Sequence, residues 1–91
     1  LATNELAANG KTVRLAFKEA ELLKLLLANK GAILGKETIL RKLWGDESDA
    51  VENNVEAYIS FLRKKLAFLE SSVKIQALRR QGYRLVEGDA Q

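Results

Sequence analysis

The sequence predicts an α+β domain in which three helices lie between an N-terminal antiparallel sheet and a C-terminal β-hairpin, and three stretches carry that expectation. In residues 53–69, Val55, Ile59, Leu62, Leu66 and Leu69 recur at steps of four, three, four and three. At about 3.6 residues per turn, that spacing aligns them on one narrow apolar stripe. Asn9-Gly10 separates residues 5–8 from 11–15, and this dipeptide supplies the positive φ angles of a tight type I′ hairpin turn. Near the C-terminus, Val73, Ile75 and Ala77 alternate with Lys74 and Gln76, and residues 83–86 alternate again. The turn between these two runs, Arg79-Arg80-Gln81-Gly82, places positive charge at the tip of a hairpin.

Taken in order, Val13 and Leu15 alternate with Thr12 and Arg14, so the first sheet has one wet face and one face packed on helices. Residues 17–30 are rich in Leu, Glu, Lys and Ala and predict a helix, with Gly31 placed for a left-handed C-terminal cap. Ala16 has no capping oxygen, which forgoes about 1 kcal/mol. Residues 32–34 predict a short strand, and Lys36–Trp44 a second helix with Ile39, Leu40, Leu43 and Trp44 on one side, ended by Gly45. Trp44 continues that apolar side and is read as core. Residues 46–52 hold four acids and predict an exposed loop. Asn53 is placed to cap the third helix, with Glu56 reaching back in a capping box. A polar tail follows residue 86.

Ninety-one residues, 47% hydrophobic and 30% charged, form one small domain with a single core. Its expected parts are an N-terminal sheet over 1–15, a helical core over 17–69 and a hairpin over 73–86. The apolar runs are a few residues long, far short of the roughly 20 that span a membrane. With no Cys and no His, disulfides, thiol catalysis, imidazole bases and the usual zinc sites are excluded. No phosphate-loop or nucleophile-base constellation stands out, so neither an enzyme nor a bound cofactor or metal is expected. The chain begins at Leu1 rather than Met and carries no basic-then-apolar leader, from which a piece of a longer cytoplasmic protein is expected.

The net charge is only +3, but residues 53–86 hold seven Lys and Arg against Glu56 and Glu70. That asymmetry suits a surface facing a polyanion, a solvated charged face being the plainer alternative. Opposite the apolar stripe, the third helix presents Asn53, Asn54, Ala57, Ser60, Phe61 and Lys64, flanked by Arg63 and Lys65. Asn54 can pair with adenine and Ala57 can pack on a thymine methyl. Phe61 either touches DNA or folds against the hairpin. Tyr58 borders the stripe, with its ring inward and its hydroxyl available to phosphate.

Strand pieces, three helices and a basic hairpin are the order of a winged helix-turn-helix. The runs LAFKEAELLKLLLANKG, GKETILRKLWG, NNVEAYISFLRKKL and RRQGYRL resemble the effector domain of OmpR/PhoB-type bacterial response regulators across nearly the whole chain. The resemblance implies a transcription regulator of a two-component system, its N-terminal receiver domain absent from this chain and phosphorylated on an aspartate by a sensor kinase. It implies that the third helix enters the major groove, the hairpin wing reaches the minor groove, and the loop before the third helix touches RNA polymerase through Asp46, Glu47 and Asp49. Base-facing residues would be Asn54, Ala57, Tyr58 and Phe61. Phosphate contacts would come from Asn53, Arg63, Lys64 and the wing residues Arg79, Arg80, Tyr83 and Arg84. The fragment would be a monomer and the intact protein a dimer on DNA. Four residues depart from the family's habit. Ala16 and Gly35 replace hydroxyl caps, Phe61 replaces a long polar or basic reader, and Arg80 replaces a wing glycine. The alternative class is a winged helix used only for protein interaction.

Overall fold

Asn9 and Gly10 take φ angles of 54° and 78°, so the predicted turn closes as its residue types require. In the computed structural model, which describes residues 4–45 and 52–87, this turn joins β1 (Glu5–Ala8) to β2 (Lys11–Arg14). The pair is antiparallel, with Glu5 opposite Arg14 and Ala8 opposite Lys11. Helices α1 (Phe17–Ala28), α2 (Lys36–Trp44) and α3 (Glu52–Phe68) follow, and the chain closes with β3 (Val73–Leu78) paired antiparallel to β4 (Gly82–Glu87).

Helix α1 begins without a side-chain cap on Ala16, but the Ala16 N–H donates to the Glu19 carboxylate at 2.7 Å. Half of a capping box thus survives the missing hydroxyl. The helix stops at Ala28, two residues before the expected end, and Asn29 Nδ2 donates to the Leu25 carbonyl at 2.9 Å. Gly31, at φ 85°, then turns the chain. The strand expected over 32–34 contracts to one bridge, in which Leu34 and Tyr83 exchange N–H and carbonyl at 2.8 and 2.9 Å. Between the reversal at Gly31 and the start of α2 there is no length for more.

Helix α3 carries the core. Val55, Ile59, Leu62 and Leu66 are each at most 6% exposed, and they pack with Leu22, Leu23 and Leu26 of α1, Ile39 and Leu43 of α2, and Ile75 and Leu85 of the C-terminal hairpin, while Leu69, just past the helix, is also buried. Burying each such side chain stabilises by about 1.5–3 kcal/mol, before chain entropy is counted. The helix is already formed at Glu52, so Asn53 lies inside its first turn and is not the cap. Glu56 does not close a capping box either: its carboxylate accepts from Lys36 of α2. At the far end, Asn9 Nδ2 donates to the carbonyls of Leu69 and Glu70 at 2.8 and 2.9 Å, and Lys11 Nζ to that of Phe68 at 3.2 Å. The first hairpin thereby satisfies carbonyls that a helix C-terminus leaves over, with a cation at the negative end of the dipole.

The second hairpin leaves the body as it proceeds. Val73 is half-buried and Ile75 buried, but Ala77, next in the same alternation, is exposed. Register pairs Leu78 with Gly82 and leaves Arg79, Arg80 and Gln81 as the turn, closed by a Gln81 N–H to Leu78 carbonyl bond of 2.9 Å. Among the described residues no helix is long and apolar enough to cross a membrane.

Candidate nucleic-acid interface

Because the apolar stripe fixes how α3 is rotated, its opposite face is fixed too. Asn53, Ala57, Ser60, Phe61 and Lys64 are exposed, and Asn54 and Tyr58 are half-buried. Tyr58 is the middle member of an aromatic run. Its ring centroid lies 5.6 Å from Trp44 and 5.5 Å from Phe61, the latter contact being edge-to-face at 83°. Phe61 therefore braces on its own helix, while 45% of its surface remains open. Trp44, read as core, sits half-buried at the core's margin with the Lys18 ammonium 5.3 Å from its ring centroid.

The cations do not all face one way. Arg63 donates through Nε and Nη2 to the Ile75 carbonyl at 3.2 and 3.0 Å, tying α3 to β3. Lys65 turns toward the N-terminal sheet, donating to Glu19 at 2.5 Å and to the Arg14 carbonyl at 2.8 Å. Glu19 is only 4% exposed, and the Lys65 ammonium together with the Ala16 N–H supplies the partners a buried carboxylate requires. Arg84 donates to Gln76 at 2.7 Å across the hairpin. Tyr83, expected among the wing contacts, is 8% exposed and belongs to the core cluster, with its backbone bridged to Leu34. Lys64, Arg79 and Arg80 are exposed.

Two backbone features shape the wing. Arg80 adopts φ 65°, the left-handed region that costs an ordinary side chain about 1–2 kcal/mol. Gly82 has φ 131°, and a Cβ built there would stand 2.0 Å from the Leu34 carbonyl oxygen. The bridge to Leu34 therefore requires glycine at position 82. A glycine within a strand pattern is the sequence signal for such a close approach. Lys36 carried no such signal. A cleft of about 510 Å³ is lined by Gly35, Lys36 and Glu37 at the start of α2 and by residues 77–83 of the wing. Since Lys36 also holds Glu56, the start of α2, the early turns of α3 and the wing turn share one end of the molecule. Asp46, Glu47 and Asp49 lie outside the described residues.

Residues 10–85 match the family model described as "Transcriptional regulatory protein, C terminal". The chain is 40% identical over 81 residues to the heme response regulator HssR of Staphylococcus epidermidis, covering 89% of this chain and 36% of that protein. It thus spans about a third of the length of the curated relatives it matches. The DNA-binding domain of Bacillus subtilis CssR shares its fold with a TM-score of 0.79 and 30% identity over 90% of each chain. The DNA-binding domain of Klebsiella pneumoniae RstA, solved in complex with the RstA box, gives 0.73 and 27% over 90% of this chain and 82% of that one.

Proposed function

We propose, since the chain belongs to the family of transcriptional regulatory protein C-terminal domains found as OmpR/PhoB-type effector domains, that it binds double-stranded DNA sequence-specifically to control transcription. The observation that carries this reading is the outer face of α3, where amide, methyl, aromatic and ammonium groups stand exposed on a helix whose other side is locked in the core. A helix of about 10–12 Å diameter fits the major groove, about 12 Å wide. Asn54, Ala57 and Phe61 would face base edges, Asn53 and Lys64 phosphates, and Arg79 and Arg80 the adjacent minor groove. Arg63 and Arg84, already bonded to Ile75 and Gln76, would add their charge to the field while holding the wing in place. RstA, a relative in fold and sequence, is bound to its DNA box, which supports the same use here and disfavours a purely protein-binding module.

The wider reading rests on family membership. The intact protein carries a receiver domain, pairs on adjacent half-sites and meets RNA polymerase through the segment holding Asp46, Glu47 and Asp49.

Fluorescence polarisation on random duplex across a salt series tests the core of the proposal. Non-specific Kd is expected at about 10⁻⁴ to 10⁻⁶ M near physiological salt, with log K falling by roughly 0.9 per neutralised phosphate for each decade of salt. Lys64→Ala should flatten that slope by about one contact. Salt-independent binding, or none, would return the chain to the protein-interaction class.

A further inference from the structure

Phe61 is one of five large apolar side chains that stand exposed among the described residues, with Phe17, Leu27, Ile33 and Phe68. Scattered exposure of this kind is ordinary on a surface. Two facts set Phe61 apart. It lies on the face of α3 that carries Asn54, Ala57 and Lys64, and its ring stands edge-on against Tyr58 at 5.5 Å while Tyr58 leans on Trp44. The aromatic run begins at the margin of the core and ends in solvent, so the last ring is propped by the two before it. An aromatic side chain held in one orientation binds with less ordering entropy than a free one.

A phenyl ring has neither a donor nor an acceptor. In the major groove the polar edges of adenine, guanine and cytosine offer it no partner, and the one apolar group there is the C5 methyl of thymine. We propose that Phe61 is a specificity-determining residue that reads a thymine C5 methyl, and that Tyr58 is the positioning residue that holds its ring to the task. This rests on the reading of α3 as the major-groove helix. Ala57, one turn earlier on the same face, is the other side chain there that can pack on a thymine methyl, so the two must be told apart by substitution.

The test begins by enriching an operator from random duplexes with the 91-residue chain and then replacing its thymines one at a time by deoxyuridine, which lacks only the methyl. At one thymine, or two adjacent ones, wild-type affinity should fall about three- to fivefold, the effect of withdrawing one methyl-sized group from an apolar contact. Phe61→Ala should bind the thymine operator more weakly and show no thymine-to-uracil difference at that position, while keeping its response elsewhere. Tyr58→Phe should keep the ratio. Tyr58→Leu, which still fills the half-buried space but removes the ring edge, should reduce it, with urea unfolding confirming that both variants fold.

A methyl-insensitive wild type overturns the inference while leaving DNA binding intact. An unchanged ratio in Phe61→Ala does the same, and so does a ratio abolished only by Ala57→Gly. Failure to enrich any sequence overturns both the inference and the reading of α3 beneath it.

Discussion

Asn9 and Arg80 both hold the left-handed backbone of a hairpin turn, at φ 54° and 65°, but their side chains are used in opposite directions. Asn is among the few residues that adopt this conformation at low cost, and the Asn9 amide reaches across to the Leu69 and Glu70 carbonyls just past the end of α3. Arg has no such local compensation, and Arg80 is exposed at the end of the wing. The first turn is therefore built for stability. The second keeps a strained residue whose charge contributes nothing evident to the fold, which accords with the binding role proposed for it. Glycine follows the same division. Gly10 has open space where a Cβ would go, whereas at Gly82 that space is filled by the Leu34 carbonyl.

The largest test of this contrast is Gly82→Ala against Gly10→Ala. The first meets both an unfavourable φ and a backbone overlap and should cost about 3 kcal/mol, while the second meets the φ penalty alone and should cost about 1 kcal/mol. Urea unfolding of the two variants decides it, and equal losses would remove the Leu34 contact from the account of the wing. Asn9→Ala comes next. Losing two hydrogen bonds and a left-handed-tolerant residue should lower stability by about 1–2 kcal/mol, with DNA affinity unchanged in polarisation assays.

Arg80→Gly should do the reverse. Stability should move by no more than about 1 kcal/mol, because relief of the strained φ is offset by the greater freedom of an unfolded glycine. DNA affinity should fall about fivefold, most on operators with an A·T-rich flank beside the wing, where a narrow minor groove concentrates negative potential. Equal losses on A·T-rich and G·C-rich flanks would make Arg80 a generic phosphate contact. The smallest expected effect is Glu56→Gln. Its pair with Lys36 is about half-exposed and should be worth no more than about 0.5 kcal/mol, so a larger loss of stability or affinity would show that the cleft beneath the wing depends on it.

The three helices and two hairpins, and their order, were legible in local residue spacing. The α3 stripe, the Asn-Gly turn and the alternation in β3 and β4 are periodicities and turn sterics, which act between residues close in the chain and can be read from their spacing. Element ends were less legible. Asn29 takes the Leu25 carbonyl and α1 closes early, while Glu56 is engaged by Lys36 at a distance of 20 residues and α3 starts before its expected cap. Which groups of the candidate site still face outward was settled by long-range packing instead. Lys65 and Arg63 stand beside Lys64 in sequence, yet one turns to Glu19, 46 residues away, and the other to the Ile75 carbonyl. Tyr83, placed among the wing contacts by the family resemblance, is buried in the core beside its backbone bridge to Leu34, whereas Phe61 stays exposed against Tyr58. A side chain's charge or ring is written in the chain, but its freedom to meet a ligand depends on the partners that folding brings within reach, and those lie beyond any local pattern.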